Sequence, residues 1–371
     1  MLSSSVAFID HILTEAIKKG ASDIHIDPCS DYIRIRYRIH GSIYDFHKLP
    51  LEGYEKVVGR IKVMSDMDTI EKRMPQEGKF QFEYKEEIHD IRVSILPTIK
   101  GEKVSIRILY NTFKIIELGN LGFDEEEIIK IKKLLSYSKG MILITGPTGS
   151  GKTTTLYGML NEIYNENNNI ITLEDPVEYS IDGINQVNVN NKIGFTFSKG
   201  LKSIIRQDPD VIMVGEIRDE ETAEISVRAS ITGHLVMSTI HTSDAPTSLL
   251  RLIDMGIPKY LVGDSIVAVI AQRLIKTLCP YCKEEDNSVK LGVKIFKSKG
   301  CDLCDNVGYL GRTLVYELME VDEIHKDIII NNFSISALRN HSIKSGMKSI
   351  KVRAMDLVEK GITSLEEVNK L

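Results

Sequence analysis

The stretch GPTGSGKTTT, residues 146–155, constrains the fold of this 371-residue chain more than any other. Gly146, Gly151, Lys152 and Thr153 satisfy the spacing G-x-x-x-x-G-K-[ST]. The motif follows an apolar run, MILIT, and opens a helix, as its mechanism requires. In that setting backbone N–H groups of the loop close around phosphate oxygens, and the helix N-terminus adds partial positive charge. The alternative, a glycine-rich turn without a ligand, fits this context less well.

The phosphate loop assigns roles to its own residues. Lys152 is expected to reach the β- and γ-phosphates of a nucleotide, and the Thr153 hydroxyl is expected to bind Mg²⁺. The predicted nucleotide-binding residues are those of the loop and the helix entrance: Gly146, Pro147, Thr148, Gly149, Ser150, Gly151, Lys152, Thr153 and Thr154.

Acidic residues follow two further apolar strands. In DVIMVGE the strand ends at Gly215 and Glu216, although many phosphate-loop enzymes have an Asp where Gly215 stands. Glu216 is predicted to be the catalytic base that polarises the attacking water; the alternative is a cap for the following helix. ITLEDPVE supplies Glu174, Asp175 and Glu178, which are candidates for holding metal-bound waters or are isolated surface acids. Glu174 is the second candidate for the catalytic base, and the source of the Mg²⁺-binding acid stays open.

Two histidines flank the strand TGHLVMSTIHT. His234 and His241 are seven residues apart, which corresponds to about 23 Å in a strand, and they face opposite sides. Both therefore cannot touch one phosphate. Since ligands bind at the carboxyl ends of parallel strands, we expect His241 to sense the γ-phosphate. His234 is expected either at an interface or in the core with a hydrogen-bond partner.

Four of the five cysteines form two Cys-x-x-Cys pairs, Cys279/Cys282 and Cys301/Cys304. No apolar segment reaches the roughly 20 residues needed to span a bilayer, and the N-terminus lacks the pattern of a signal peptide. A cytoplasmic chain is therefore expected, in which such pairs indicate a metal site rather than disulfides. Four thiolates suit a closed, structural Zn²⁺ site; the alternative is four unligated thiols. Cys29 is interpreted as a small buried residue.

The hydrophobic pattern divides the chain into regions. Residues 1–110 contain a helical stretch, alternating strands such as YIRIRYRIHG and a second helix, which predicts a small α+β domain on an antiparallel sheet. Residues 111–123 are interpreted as a linker. From residue 124 to 371, short apolar strands alternate with helices, which predicts a mostly parallel sheet covered on both faces. Within that region, residues 279–304 form the predicted zinc subdomain and residues 313–371 the predicted C-terminal helices.

Several motifs occur together and in order: ASDIHIDP, RMPQEGKF, IRVSILPTIKGEKVSIRIL, TGPTGSGKTTTLY, ITLEDPVEY, IRQDPDVIMVGEIRD, TGHLVMSTIHT and AQRLI. The chain resembles the secretion ATPases of the type II secretion and type IV pilus superfamily, from about Ala21 to the final GITSLEEV. The resemblance implies an N-terminal PAS-like domain joined to a RecA-like ATPase domain. It also implies assembly as a hexamer, with ATP as the nucleotide.

In that family, arginines of the N-terminal domain complete the nucleotide site. IRVSIL and VSIRIL are typical of a hairpin that turns around Lys100-Gly101, which places Arg92 and Arg107 on the polar face at opposed positions. Two guanidinium groups so placed are suited to clamp polyphosphate and stabilise the transition state. The alternative is two solvated surface arginines. Arg73, in RMPQEGKF, is a weaker third candidate. The role of that segment is less well supported, because Glu77-Gly78-Lys79 stands where the family usually has Asp-Gly-Arg.

The tetracysteine insertion of this chain is similar to that of the family's assembly and secretion ATPases. It is usually missing from the family's retraction ATPases. The expected function is therefore that of a cytoplasmic hexameric motor for pilin or pseudopilin polymerisation. It would act at the inner face of the cell membrane through an inner-membrane platform protein. The short form resembles competence-pseudopilus ATPases of Gram-positive bacteria, so control by cyclic di-GMP through an extra N-terminal domain is not expected.

Three other functions share some of these sequence features. A pilus retraction ATPase shares all motifs except the tetracysteine insertion. A RecA-like nucleic-acid translocase is disfavoured by the net charge of −5, the pI near 6.0 and the absence of Trp, so no nucleic-acid partner is expected. A scaffold that binds nucleotide without hydrolysis is disfavoured by the intact Lys152, Thr153 and Glu216. The sequence alone leaves open which filament is built and the stepping order around a ring.

Overall fold

A computed structural model of the chain describes residues 5–39, 41–110, 117–286 and 294–371. The chain divides into two compact units, Met1–Lys114 and Ile115–Leu371. Part of the predicted linker, residues 111–116, lies outside the described residues. The rest of that linker is packed rather than free, because Leu118 and Phe123 are buried in the core of the C-terminal unit. Among the described helices, none combines the length and the apolar character that a bilayer crossing requires.

The N-terminal unit is built on six antiparallel strands and two helices. Its elements are α1 (Ser5–Lys18), β1 (Ala21–Pro28), β2 (Tyr32–Ile39), β3 (Ser42–Pro50), α2 (Tyr54–Met64), β4 (Gln76–Tyr84), β5 (Glu87–Thr98) and β6 (Gly101–Leu109). The strand order is β3-β2-β1-β6-β5-β4, and every pair is antiparallel. The predicted α+β fold on an antiparallel sheet is therefore confirmed.

Strict alternation along the strands separates the two faces of this sheet. Ile33, Ile35 and Tyr37 of β2 are buried in the core, and the arginines between them lie on the opposite face. The same core contains the apolar residues of β5 and β6 together with the buried faces of α1 and α2. Because both helices cover one face only, the other face of the sheet presents a charged surface.

The C-terminal unit contains a seven-stranded sheet. The strands of this unit are β7 (Gly140–Thr145), β8 (Ile170–Glu174), β9 (Asn185–Asn188), β10 (Val211–Val214), β11 (Leu235–Ile240), β12 (Ile266–Leu278), β13 (Glu284–Glu285), β14 (Phe296–Lys297) and β15 (Tyr309–Glu320). The short β13 and β14 pair with each other in a separate two-stranded sheet. The helices of the unit are α3 (Glu125–Leu135), α4 (Lys152–Ile163), α5 (Phe197–Ile204), α6 (Glu220–Ile231), α7 (Ala245–Asp254), α8 (Lys259–Ser265), α9 (Glu323–Asn331), α10 (Ile335–Lys344), α11 (Ile350–Glu359) and α12 (Leu365–Val368).

The sheet order is β15-β12-β7-β11-β10-β8-β9, and all neighbouring strands are parallel except β12 and β15. The central strand β7 is buried on both sides: Met141 and Leu143 belong to one apolar cluster, and Ile142 and Ile144 belong to another. This burial explains why the central strands are continuous apolar runs without alternation. The predicted RecA-like α/β architecture is confirmed, and it brings the carboxyl ends of the parallel strands to one edge.

The predicted start of the C-terminal helices at residue 313 is wrong. Residues 309–320 form β15, which pairs antiparallel with β12, and the helices begin at Glu323. The run from Leu314 to Met319 is buried on both faces, so it shows no alternation, and its Leu, Glu and Met are good helix formers. Tertiary pairing therefore overrides a local composition that favours a helix.

Candidate nucleotide site and tetracysteine cluster

The phosphate loop connects β7 to α4 and depends on its glycines. Gly146, Gly149 and Gly151 have φ values of 151°, 78° and 86°, a region that L side chains rarely adopt. A Cβ atom on Gly146 would lie 2.4 Å from the carbonyl oxygen of Gln272. Helix α4 begins at Lys152, and no side chain caps its N-terminus. The first turn therefore offers its backbone N–H groups to an anion.

The predicted phosphate ligands lie at this turn. The Lys152 Nζ atom donates to the carbonyl oxygens of Gly146 (2.8 Å) and Pro147 (3.1 Å). Burial lowers the pKa of Lys152, while the nearby carboxylate of Glu216 opposes that shift. Thr153 and Thr154 are exposed at the entrance of α4, and Pro147, Thr148 and Gly149 are exposed in the loop. The ammonium group is thus held over the loop, within reach of a phosphate that would compete with the two carbonyls.

Glu216 follows β10, and it meets His241, which follows β11. The Glu216 carboxylate lies 2.6 Å from Arg218 Nε and 3.7 Å from His241 Nε2. Burial lowers the pKa of His241, and the charge of Lys152 adds to the effect. The helix-cap alternative for Glu216 is wrong, because Asp219 caps α6 by accepting a 2.9 Å hydrogen bond from the Thr222 N–H. Glu216, His241 and Lys152 therefore converge at one edge of the sheet.

Glu174, at the end of β8, lies near this edge but is only 3% exposed. Its carboxylate accepts hydrogen bonds from the hydroxyls of Tyr157 and Thr172 and from the Gln186 amide. Burial raises the pKa of Glu174, although these three donors oppose the shift. The catalytic role of Glu174 stays a prediction, and its saturated, buried carboxylate suits a bracing role better than attack on a bound nucleotide.

The other predicted polar residues occupy distinct positions. Asp175 is exposed next to Glu174, and its charge raises the pKa of Arg218, after the larger contribution of Glu216. His234 lies at the opposite end of β11 from His241, and its Nδ1 donates to the Ala229 carbonyl oxygen at 2.9 Å. The two histidines are separated as the spacing predicts, and His234 has a hydrogen-bond partner away from the phosphate loop.

Two neighbouring residues of β12, Gln272 and Arg273, brace the site, although the sequence pattern predicts a role for neither. The buried Gln272 amide donates to the Ser150 carbonyl oxygen at 2.8 Å and accepts from the Thr155 hydroxyl at 3.0 Å. Arg273 donates to the carbonyl oxygens of Gln272 (2.9 Å) and Ser243 (2.8 Å). Both residues lie within the quoted motif AQRLI, but a motif without periodicity or a known spacing gives no mechanism for its members.

The loop after β11 is attached on two sides. The Thr145 hydroxyl, at the end of β7, accepts a 2.8 Å hydrogen bond from the Thr242 N–H. On the far side, Asp244 caps α7 through the Thr247 N–H and forms a 2.7 Å ion pair with Arg339 of α10. A change in the position of His241 would therefore be transmitted both to the phosphate loop and to the C-terminal helices.

The predicted arginines lie in the N-terminal unit. Arg92 of β5 and Arg107 of β6 are direct partners in the strand register, as the hairpin predicts. Arg107 Nε donates to the Asp23 carboxylate at 3.0 Å. Arg73 is 88% exposed and pairs with Glu71 at 3.1 Å. The opposed positions of Arg92 and Arg107 are confirmed, and their role at a nucleotide stays a prediction.

The four cysteines of the two Cys-x-x-Cys pairs come together. The Sγ–Sγ distances are 3.9 Å for Cys279–Cys301, 3.7 Å for Cys282–Cys304 and 3.7 Å for Cys301–Cys304. A tetrahedral Zn²⁺ with Zn–S bonds of about 2.3 Å requires edges of about 3.8 Å, so this thiol set fits a zinc ion. The Cys304 sulfur also accepts backbone N–H groups of Cys301 and Gly308, each at 3.2 Å, which supports a thiolate.

Residues 279–304, called the knuckle, contain both cysteine pairs and pack against a segment near the C-terminus. Residues 287–293 lie outside the described residues. Lys283 Nζ donates to the Gly361 carbonyl oxygen at 2.7 Å, and the Leu278 N–H donates to that of Ile362 at 2.8 Å. A Cβ atom on Gly361 would lie 2.9 Å from the ring of Phe296. The knuckle is therefore attached to the segment that links α11 and α12.

Known proteins resemble this chain over nearly its full length. A family model described as Type II/IV secretion system protein matches residues 2–370. Type II secretion system ATPase E of Vibrio cholerae serotype O1 is 43% identical over 377 residues, which cover 99% of this chain and 75% of that protein. Type IV pilus assembly ATPase PilB of Myxococcus xanthus is 42% identical over 380 residues, covering 98% of this chain and 67% of that protein.

Solved structures share the fold. The crystal structure of the pilus retraction motor PilT with bound ADP has a TM-score of 0.66 and 27% identity, covering 98% of this chain and 96% of that chain. The ATPase DotB of Legionella pneumophila has a TM-score of 0.75 over 98% of this chain and 95% of that chain, but only 20% identity. The second likeness therefore describes the fold alone.

Proposed function

Because this chain belongs to the family of Type II/IV secretion system proteins, we propose that it is a motor that powers the polymerisation of pilin or pseudopilin. The chain is an ATP-hydrolysing enzyme of the secretion and pilus ATPase class. The observation that carries the proposal is the convergence of Lys152, Glu216 and His241 at the carboxyl edge of the parallel sheet, next to an uncapped helix N-terminus. That edge is where a nucleotide binds in such a sheet.

Hydrolysis follows from the chemistry of these groups. Lys152 leaves the two loop carbonyls and binds the β- and γ-phosphates, and the exposed Thr153 hydroxyl would hold Mg²⁺, which neutralises phosphate charge. Glu216 accepts a proton from the attacking water. Burial and the charge of Lys152 lower the pKa of His241, which contacts Glu216 and reports whether the γ-phosphate is present. The loop after β11 then transmits the change toward Arg339.

Assembly as a hexamer would complete the site. Arg92 and Arg107 form an opposed pair on the charged face of the N-terminal sheet. In a ring, a neighbouring copy could present this pair to the polyphosphate, where two guanidinium groups stabilise the charge of the transition state. The site is then shared between copies, so hydrolysis depends on the arrangement of the ring.

The direction of action is inferred from the tetracysteine cluster. Its three short Sγ–Sγ distances match the edges of a zinc tetrahedron, and a closed site of four thiolates serves structure rather than catalysis. Such an insertion accompanies assembly and secretion ATPases, and the two relatives described above, which are 43% and 42% identical to this chain, carry secretion and assembly names. Retraction is the second candidate, supported by the 27% identity to PilT.

The motor would act in the cytoplasm, at the inner face of the cell membrane. There it would dock on an inner-membrane platform protein and drive it by domain rotation. The net charge of −5 and the pI near 6.0 favour a protein partner over nucleic acid. A salt-sensitive affinity for single-stranded DNA would instead support a translocase.

Deletion of the gene in the source organism tests this function, with surface pili, DNA uptake and protein secretion as the three readouts. Loss of filaments supports assembly, and hyper-extended or more numerous filaments support retraction. Complementation of the deletion strain with the intact chain should restore wild-type behaviour, whereas complementation with the Glu216→Gln chain should not. A deletion strain that is unchanged in all three readouts would overturn the proposal.

A further inference from the structure

The charged face of the N-terminal sheet contains a row of directly paired residues. The row crosses five strands, and its members are Arg38 (β2), Asp23 (β1), Arg107 (β6), Arg92 (β5) and Lys79 (β4). Directly opposed residues on one face have Cβ atoms about 4.5–5.5 Å apart, and like charges placed there destabilise the sheet. Three consecutive cations therefore carry an electrostatic cost that an anion would relieve.

The single carboxylate of the row lies at one end of the three cations. Asp23 is only 8% exposed, and it accepts from Arg107 Nε at 3.0 Å and from the Ser22 hydroxyl at 2.8 Å. Arg38 Nε lies 3.6 Å from its second oxygen. The Arg107 side chain is itself 62% exposed, so this bond holds one face of an otherwise solvated guanidinium. Asp23 thereby fixes the direction of Arg107 and leaves its terminal nitrogens available.

At the other end, the Lys79 side chain is exposed and has no hydrogen-bond or ion-pair partner in the part of the chain that the structure describes. Its strand is held in place by the preceding residue. A Cβ atom on Gly78 would lie 2.1 Å from the carbonyl oxygen of Ser65, so β4 can approach α2 only with glycine there. The close approach sets the position from which Lys79 extends.

Four members of the row, all except Arg38, line one pocket of about 440 Å³. Its wall contains Lys79, Arg92 and Arg107 together with the acids Asp23 and Glu77. Ser94 and Ser105 belong to the same wall and add hydroxyl donors. The three cations outnumber the two acids, and one of these acids, Asp23, is already bonded to Arg107. A pocket with this excess of positive charge and two hydroxyls is suited to a polyanion such as a polyphosphate.

We propose that Lys79 is a third phosphate-binding cation beside Arg92 and Arg107, and that Asp23 is the positioning residue that orients Arg107. The ligand is the polyphosphate of a nucleoside triphosphate held by a second copy of this chain. This inference rests on the proposed role of Arg92 and Arg107 at a shared nucleotide site. It adds a residue that the sequence left without a secure role, since lysine occupies the place where an arginine is usual.

The first test measures ATP hydrolysis by the assembled full-length chain. Lys79→Gln should raise KM for ATP by about 10-fold, which corresponds to one lost charge-assisted hydrogen bond, and Lys79→Arg should restore it. Lys56→Gln is the matched control, because Lys56 is an exposed lysine of α2, the helix packed on the other face of the same sheet. An unchanged KM in Lys79→Gln, or an equal rise in Lys56→Gln, would overturn the role of Lys79.

The second test concerns Asp23. If Asp23 acts by orienting Arg107, Asp23→Asn should raise KM, and the double variant Asp23→Asn/Arg107→Gln should be no worse than Arg107→Gln alone. A purely structural role for Asp23 predicts the opposite, namely effects that multiply and a lower melting temperature in every background. Multiplying effects would overturn the positioning role.

The failures of the two proposals are distinguishable. If Arg92→Gln and Arg107→Gln hydrolyse ATP normally, the shared nucleotide site itself is wrong, and the inference falls with it. If those variants are impaired while Lys79→Gln and Asp23→Asn are normal, the shared site stands and only the extended row is wrong.

Discussion

Two regions of the C-terminal unit differ in whether they leave room for a ligand: the edge of the sheet that carries the phosphate loop, and the knuckle. At the edge, glycines with positive φ and an uncapped helix leave N–H groups and Lys152 available to a ligand that comes and goes. In the knuckle, four thiols face one another at 3.7–3.9 Å for the three measured pairs, which leaves no open position for a substrate. The first region is suited to turnover, and the second to holding shape.

One strand connects them. β12 carries Gln272, which braces the phosphate loop, and Arg273, which bonds the loop after β11, and it ends at Leu278, directly before Cys279. The six residue steps from Arg273 to Cys279 span about 20 Å in an extended strand. The knuckle can therefore be separate from the chemistry and yet anchor the strand on which the site depends. Predictions on ATP turnover, ordered by the size of their expected effect, test how far this separation holds.

The largest effect is expected for Glu216→Gln. The amide cannot accept a proton from water, so turnover should fall by roughly 10²-fold or more while ATP binding is retained. Steady-state hydrolysis with Mg²⁺ and a nucleotide-binding assay measure the two quantities separately. Glu224→Gln, on the exposed face of α6, is the control. Near-normal turnover in Glu216→Gln would move the base to Glu174 or elsewhere.

Charge removal in the other unit should have the next largest effect. Arg92→Gln and Arg107→Gln should each slow hydrolysis about 10-fold or more, because each removes a charge-assisted contact to the transition state. The melting temperature of the C-terminal unit should not change. A structure with nucleotide bound and both guanidinium groups pointing into bulk solvent would contradict this expectation.

The difference between the two regions also decides what the sequence could predict. The phosphate loop was predictable because its spacing follows from phosphate chemistry, and the opposition of Arg92 and Arg107 followed from strict alternation on both sides of a tight turn. Strand β15 was not predictable, because a strand that is buried on both faces does not alternate between apolar and polar residues. The braces Gln272 and Arg273 were also missed, because their partners, the carbonyls of Ser150 and Ser243, are distant in sequence.

Removal of one thiol tests, at the knuckle, whether the knuckle and the nucleotide site are separate. Cys301→Ser should lose its metal, about one zinc per chain by elemental analysis, and should loosen residues 279–304 in hydrogen exchange. ATP affinity should stay within about twofold, because separate sites behave nearly independently. Defects should instead occur in assembly or in coupling to partners. Cys29→Ser, the fifth cysteine, is the control. A metal-free protein with an ordered knuckle and full filament-building activity would show that the cysteines are incidental.

The smallest effect on turnover is expected at a second polar cluster of the C-terminal region. His325 is 1% exposed, its Nε2 meets the Ser342 hydroxyl at 2.8 Å, and its Nδ1 meets Asp322 at 2.8 Å. His341 Nε2 donates to the same carboxylate at 2.8 Å. These three groups lie close enough to hold a metal ion. Each, however, has a hydrogen-bond partner already, so we expect a structural cap of α9 rather than a metal site.

Burial lowers the pKa of His325 below its usual value near 6.5, although Asp322 opposes the shift. The unfolded chain therefore binds more protons than the folded chain between these two pKa values, and the free energy of unfolding should fall as the pH drops below about 6.5. His325→Gln should remove this part of the pH dependence, lower stability by about 1 kcal/mol at neutral pH through loss of one buried hydrogen bond, and leave KM for ATP unchanged. Urea unfolding from pH 5 to 8 measures it, with His11→Gln, an exposed histidine, as the control. An unchanged pH slope, or zinc bound by a Cys301→Ser chain through these residues, would contradict the assignment and give the C-terminal region a second metal site.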